Sequence, residues 1–255
     1  MYILKQDTSF LSVEQKAGVF YSFNSNNYLK VFVNNRSSSV LSASSVYSNS
    51  LGYGDYKATL FGVNWLINKT DNYYNPRKGK YFDFESMIGN KSTTIYTSVL
   101  DSVVKNKAMQ IILGAKIGSY ISMNKRFVYK VLLQGQTLVD DNLLTNEFFR
   151  IGGVKTLRGF DEVSINASDY TVMTNEIRLI LEERSYLFVF SDVAWYQRRT
   201  MNDGIISDVP FGFGAGISFE TKAGNFTLTY ALGKQFDNPI ELKNAKIHFG
   251  INTSF

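Results

Sequence analysis

The stretch KIHFGINTSF (residues 246–255) decides the fold class of this chain. Apolar side chains alternate along it with polar or small ones, and a period of two is that of a β-strand with one apolar and one polar face. The apolar set ends on Phe255. A strand whose outer face meets lipid can end on such a residue, because hydrocarbon covers the ring. The stretch therefore predicts a strand of a membrane β-barrel.

The same alternation recurs along the chain. Segments of about ten residues with this pattern, separated by turn residues, are typical of a transmembrane barrel. No window approaches the roughly 18 apolar residues of a membrane helix. The clearest repeats are Phe61–Ile67, Ile111–Ile117, Phe211–Phe219 and Phe226–Leu232.

The composition agrees with a barrel and excludes other classes. Aromatic residues make up 15% of the chain, which suits strands and the aromatic girdles of a bilayer. The absence of cysteine argues against a disulfide scaffold or a cysteine-ligated metal. The net charge of +5 comes from scattered basic residues, which argues against nucleic acid. Outer-membrane lipid and lipopolysaccharide are the partners we expect for this charge.

The connection lengths predict the orientation of the barrel. In bacterial barrels short periplasmic turns alternate with longer outer loops. We predict one domain over residues 1–255, with its C-terminus on the periplasmic side. The longer loops are expected at 37–54, 90–106, 138–168, 199–209 and 235–244. The twelve predicted strands lie near 2–6, 11–23, 28–36, 55–69, 80–89, 107–121, 126–137, 169–182, 186–198, 210–220, 224–234 and 245–255.

The longest predicted loop contains a Gly152-Gly153 pair and the sequence Leu157-Arg158-Gly159-Phe160. If this loop folds into the lumen, Arg158 leaves bulk water and needs an anion. The second strand after the loop places Phe190 and Asp192 on the lumen face, and Asp192 suits the fork of a guanidinium. Glu176, which the alternation also places on the lumen face, is expected as a second wall contact. The alternative interpretation is a solvated loop arginine and an ordinary polar residue lining the lumen.

Glycines would let the loop tip approach the wall. Gly159 lets the backbone come close, and Phe160 can pack against the inner face. The inward residues Gly212, Gly214 and Gly216 would leave room for the tip.

These motifs resemble those of the BamA/TamA-type superfamily of outer-membrane assembly and translocation barrels (the bacterial surface antigen family). Leu157 and Ala194 stand where that family usually has Val and Gly, and the residues Asp71, Pro76 and Gly79 resemble its Asp…Pro-x-x-Gly turn. The resemblance implies that Arg158 pins the loop to Asp192. It also implies a sixteen-strand barrel preceded by POTRA domains, of which this chain supplies about twelve strands. We therefore expect the C-terminal part of a longer protein, with a complete small barrel as the alternative.

The last strand also resembles the signal by which assembly machinery recognises client barrels. Gly250 and Phe255 fit this signal, whereas Phe249 and Thr253 do not. Phe255 as a plain lipid-facing anchor is the other interpretation.

The function implied by the resemblance is insertion or translocation of client outer-membrane or secreted proteins, aided by accessory subunits or the missing N-terminal strands and POTRA domains. The alternatives are a two-partner-type secretion pore, or a passive barrel such as a porin or the membrane anchor of an enzyme domain. We expect no catalytic residue, metal or cofactor. The chain has one histidine, His248, interpreted as a solvated lumen side chain, and no Gly-x-Ser-x-Gly elbow or phosphate-binding loop.

Overall fold

The computed structural model describes residues 2–6, 10–24, 26–41, 52–72, 75–97, 102–200, 204–221 and 224–252. In these ranges the chain is almost entirely β-structure, with single 3-10 turns at Thr145–Glu147 and Leu242–Asn244. None of the described helices has the length and apolar character needed to span a membrane.

The described residues form fifteen strands. They are β1 (Tyr2–Gln6), β2 (Phe10–Asn24), β3 (Asn27–Val40), β4 (Asp55–Thr70), β5 (Gly79–Thr97), β6 (Ser102–Ser122), β7 (Phe127–Val139), β8 (Phe149–Ile151), β9 (Ile165–Ala167), β10 (Asp169–Ile180), β11 (Tyr186–Thr200), β12 (Gly204–Asp208), β13 (Phe211–Thr221), β14 (Gly224–Lys234) and β15 (Lys246–Asn252).

Twelve of these strands make one antiparallel sheet in chain order, from β1 to β15. The remaining three do not extend this order, because β12 pairs with the end of β11 and β8 pairs with β9 inside a loop. Within the described residues β1 and β15 end the strand order and are not paired with each other. The structure confirms the predicted all-β antiparallel fold and its twelve wall strands.

The two faces of the sheet differ as a membrane barrel requires. On β4 the side chains of Leu60 and Asn64 are buried on the inner face. Between them Phe61 and Val63 point outward and are 62% and 42% exposed. An outward apolar face that no protein covers is stable in hydrocarbon but not in water. The period-two pattern of the sequence thus reports which side chains meet lipid.

Three predicted loops are shorter than expected, because the strands continue into them. β3 continues to Val40, and β5 and β6 continue until Thr97 pairs with Ser102, so most of 90–106 is hairpin. Most of 199–209 is the hairpin of β11 and β12. Beyond the bilayer the outward face of a strand meets water and need not be apolar, so pairing continues without the apolar alternation on which the prediction relied.

Candidate functional site

The connection between β7 and β10, residues 140–168, folds back into the space that the sheet surrounds, and we call it the lumen loop. Ile151 and Leu157 of this loop are fully buried and pack with Val172 of β10 and Ala194 of β11. Phe160 packs against the same cluster. The hairpin of β8 and β9 gives the loop its own hydrogen-bonded frame. The lumen loop is therefore part of the packed interior.

Arg158 at the tip of the lumen loop is held in a fork by Asp192 of β11. Its Nε donates to Oδ2 of Asp192 at 2.7 Å, and its Nη2 donates to Oδ1 at 2.7 Å. The backbone N–H of Arg158 also donates to Oδ2, at 3.1 Å. Asp192 is fully buried and Arg158 is 8% exposed. A lysine could not reproduce this two-point geometry.

Glu176 of β10 is shared by two arginines. Its Oε2 accepts from Nη1 of Arg158 at 2.8 Å, and its Oε1 accepts from Nε of Arg178 at 2.7 Å. Burial alone would lower the pKa of Arg158, but its hydrogen bonds and attraction to Asp192 and Glu176 outweigh burial and raise that pKa. The guanidinium therefore stays charged. We call Arg158, Glu176, Arg178 and Asp192 the tip cluster.

An aromatic surface supports the tip cluster. The Arg158 guanidinium lies 3.6 Å from the centroid of the Phe190 ring, within the range of a cation–π contact. Gly214 and Gly216 make room for the rings of this surface. A Cβ on Gly216 would overlap the Phe188 ring, and a Cβ on Gly214 would lie 3.0 Å from Phe190. The expectation that these two glycines make room for the loop tip itself was wrong.

The loop tip instead touches the wall at Gly212 of β13 and Gly233 of β14. A Cβ on Gly212 would overlap the carbonyl oxygen of Arg158, and a Cβ on Gly233 would come within 2.5 Å of the Gly159 oxygen. Gly159 has a φ of +94°, and its own Cβ would lie 2.6 Å from the oxygen of Leu232. The predicted roles of Gly159 and Gly212 agree with this geometry, whereas Gly233 was missed.

His248 on the inner face of β15 is a further partner of the loop tip. Its Nε2 accepts the N–H of Gly159 at 3.2 Å, and the residue is 7% exposed. Nearby, Nζ of Lys246 lies 2.8 Å from Asp161 of the loop. The interpretation of His248 as a solvated side chain was wrong, because the lumen loop covers it. The last strand of the sheet is therefore bonded to the tip.

The Gly152-Gly153 pair forms the turn that aims the tip at the wall. Both residues have positive φ, +115° and +88°, which side chains other than glycine rarely adopt. The N–H of Gly152 donates to Oγ1 of Thr156, and the N–H of Gly153 donates to the oxygen of Leu157. These bonds close the turn just before Arg158.

A second group of buried charges fixes the start of the lumen loop, and we call Lys91, Gln110, Asp140 and Glu147 the entry cluster. Nζ of Lys91 on β5 lies 2.7 Å from Asp140 and 2.8 Å from Glu147, and all three side chains are fully buried. Gln110 of β6 donates to both carboxylates, at 3.2 and 3.0 Å. Every charge of this cluster therefore has a partner.

The entry cluster was not predicted from the sequence, because Lys91 was expected in a loop. Every second side chain of β5 from Met87 onward faces the lumen, and Lys91 belongs to this set. The alternation in the sequence therefore indicated the inward position of Lys91. Extending the strand by two residues would have placed Lys91 on the lumen face.

The turn between β4 and β5 inserts a side chain beneath the tip cluster. Asn75 is 1% exposed, and its Oδ1 accepts from Nη1 of Arg178 at 3.1 Å. Asp71 closes the turn by accepting the N–H groups of Arg77 and Lys78. Gly79 ends it with a φ of +120°. The turn was predicted from Asp71, Pro76 and Gly79, but the contact made by Asn75 was not.

The recognition signal predicted on the last strand contains two site residues. Gly250 lies on the inner face of β15, whereas Phe255 lies outside the described residues. In the part of the chain that the structure describes, no cluster of His, Asp and Glu could hold a metal ion.

A family model described as the Omp85 superfamily domain matches residues 8–255. The chain belongs to the Omp85 superfamily. This confirms the predicted resemblance to BamA/TamA-type barrels, and it places this Omp85 chain in the bacterial outer membrane, as predicted.

A solved structure shows the same fold. The Omp85 chain is similar to the crystal structure of BamA from Haemophilus ducreyi lacking POTRA domains 1–3, with a TM-score of 0.64 and 15% identity. That match covers 94% of this chain and 53% of the BamA chain, so our chain spans about half the length of that relative. The β domain of the Bordetella autotransporter BrkA matches at a TM-score of 0.35 and 12% identity, over 94% of this chain and 86% of that one. No curated protein matches the chain in sequence.

Proposed function

We propose that this Omp85 chain is the membrane barrel of a factor that inserts client β-barrel proteins into the outer membrane, in the manner of BamA and TamA. The observation that carries the proposal is the lumen loop, which two buried charge clusters hold inside the barrel. A porin requires an open lumen for solutes, and a docked loop of this size argues against that role. The proposed work is strand pairing, which requires no catalytic residue, metal or cofactor.

The last strand supplies the edge that a client would use. Within the described residues β15 pairs only with β14, so the backbone groups along its other edge have no strand partner. Such an edge is a template for an incoming strand. The loop tip contacts the inner face of the same strand through His248 and Lys246. In this proposal the docked tip holds β15 in position while its free edge pairs with a client.

Arg158 provides the direct test, in cells whose own copy of the protein is replaced by a variant. Arg158→Ala should free the tip and lower the amount of folded barrel proteins in the outer membrane, and Arg158→Lys should restore it only in part. Arg184→Ala is the matched control, because Arg184 lies at the exposed rim and pairs with Glu220. Folded client is measured by its heat-dependent shift in gel electrophoresis. Normal client levels and an undisturbed loop in Arg158→Ala would refute the proposal.

The same cells separate the alternatives. Accessory subunits and POTRA domains are the partners that an assembly role requires. If the chain belonged to a secretion pore, its loss would stop the release of one secreted protein and leave the amounts of other folded barrel proteins normal. If the chain were a passive barrel, its loss would change neither the secreted protein nor the amounts of other folded barrel proteins.

A further inference from the structure

Two lysines face each other on the outer wall at the short-turn end of the barrel. Lys69 near the end of β4 and Lys80 near the start of β5 are cross-strand partners, and both are exposed. Side chains in such pairs have Cβ atoms about 4.5–5.5 Å apart, and like charges there repel. Within the described residues neither lysine forms a salt bridge with a carboxylate. Among the residues that the structure describes, the pair therefore has no anionic partner.

The surrounding turn increases the positive charge. Arg77 and Lys78 lie between the two strands, and Lys78 is exposed. Asp71 is the acidic residue of this turn, and its Oδ1 accepts the backbone N–H groups of Arg77 and Lys78. This turn and the two strand ends beside it therefore carry four cationic side chains and one carboxylate.

An apolar groove runs along the outer wall from Lys69 toward the middle of the membrane. Phe23, Leu29, Trp65 and Ile67 line it, and Lys69 closes its polar end. Phe23 is 59% exposed and Trp65 is 45% exposed, so no part of the described chain covers the groove. Tryptophan is enriched where hydrocarbon meets headgroups. The lysines beside it therefore lie at the depth of lipid phosphates.

We infer that this part of the outer wall binds an anionic phospholipid of the periplasmic leaflet. Its phosphate bridges Lys69 and Lys80 and relieves their repulsion, while one acyl chain lies along Leu29 and Ile67 in the groove. An anionic headgroup is favoured over a zwitterionic one, because the rim carries an excess of positive charge. The short turns place this end of the barrel at the periplasmic side. The inference is independent of the proposed function, since it concerns only the lipid-facing surface.

The test is native mass spectrometry of the purified chain in detergent, titrated with phosphatidylglycerol or phosphatidylcholine. Lys69→Gln/Lys80→Gln should weaken phosphatidylglycerol binding about 10- to 30-fold, from the usual contribution of two cations near a membrane. Leu29→Ser should weaken it as well. The matched control is Lys57→Gln/Lys107→Gln, which removes two exposed outward charges at the opposite end of the same wall. The control should bind phosphatidylglycerol like the unchanged chain.

Three results would overturn the inference. One is equal affinity for the two lipids in the unchanged chain. Another is an equal loss in the control variant, which would indicate net charge rather than a site. The last is displacement of the lipid by inorganic phosphate at similar concentration, which would indicate a site for a free anion.

Discussion

The tip cluster and the entry cluster hold the same loop with opposite polarity. At the tip the cation, Arg158, belongs to the loop, and the carboxylates belong to the wall. At the entry the cation, Lys91, belongs to the wall, and Asp140 and Glu147 belong to the loop. A loop that slipped or entered the other way round would bring like charges together, which is costly in a buried site. The two clusters therefore specify one docked arrangement.

The clusters also differ in how they respond to the loss of a partner. An arginine cannot give up its proton, so an unpaired guanidinium stays charged. At the entry, Asp140 and Glu147 keep hydrogen bonds from Gln110 and from backbone N–H groups of the loop when the cation is lost. Losing the wall partner should therefore be more damaging at the tip than at the entry.

The largest expected effect is that of Asp192→Ala. It removes both arms of the fork and leaves a buried guanidinium with Glu176 alone, at a cost of about 3–5 kcal/mol if the site is dry. The temperature at which the folded gel band disappears measures the loss. Ser191→Ala on the outward face of the same strand is the control, and equal temperatures for the two variants would contradict the role of the fork.

Lys91→Met should destabilise the barrel less than Asp192→Ala does. It removes the shared cation of Asp140 and Glu147, but Gln110 and backbone N–H groups still donate to both carboxylates. The temperature at which the folded gel band disappears measures the loss. Lys107→Met, at an exposed outward position of β6, is the control. A loss as large as that of Asp192→Ala would remove the distinction between the clusters.

Gly159→Ala tests the close approach at the tip. Its φ of +94° and a Cβ only 2.6 Å from the Leu232 oxygen predict a loss of about 1–3 kcal/mol in thermal gel assays. Gly204→Ala is the matched control, since Gly204 has a φ of +73° and nothing within 4 Å of its Cβ position. The difference between the two losses of stability measures the effect of the contact with Leu232 separately from that of the backbone strain. Equal losses would mean that the wall does not restrain the tip.

The smallest effect is expected at His248. Replacing it by alanine leaves the N–H of Gly159 without its acceptor and should cost about 1 kcal/mol. His248→Gln keeps an acceptor and should cost less. Hydrogen exchange of the loop tip, followed by mass spectrometry, reports the change. Protection that is unaltered in both variants would exclude His248 as an anchor of the tip.

The sequence predicted the membrane-spanning parts of the strands, where one face of a strand meets lipid and the other faces the lumen. Alternation around Phe61 and Val63 assigned both the strand and its outward face. It failed at the far end of β5 and at β12, because the outward face of a strand beyond the bilayer meets water and need not be apolar. The Arg158 and Asp192 pair was accessible through local motifs. The contact of Lys91 with Glu147 was not, because a tertiary contact across 56 residues leaves no local pattern.

The buried side chain of Asn75 connects the tip cluster to the short-turn rim of the barrel. It bonds Arg178, which shares Glu176 with Arg158, so a continuous line of polar contacts runs from the rim turn to the interior. If these contacts couple the turn to the tip, a ligand that prefers the turn in this conformation binds more tightly when the guanidinium of Arg158 is seated. By reciprocity, the same ligand would then favour the docked loop to the same extent.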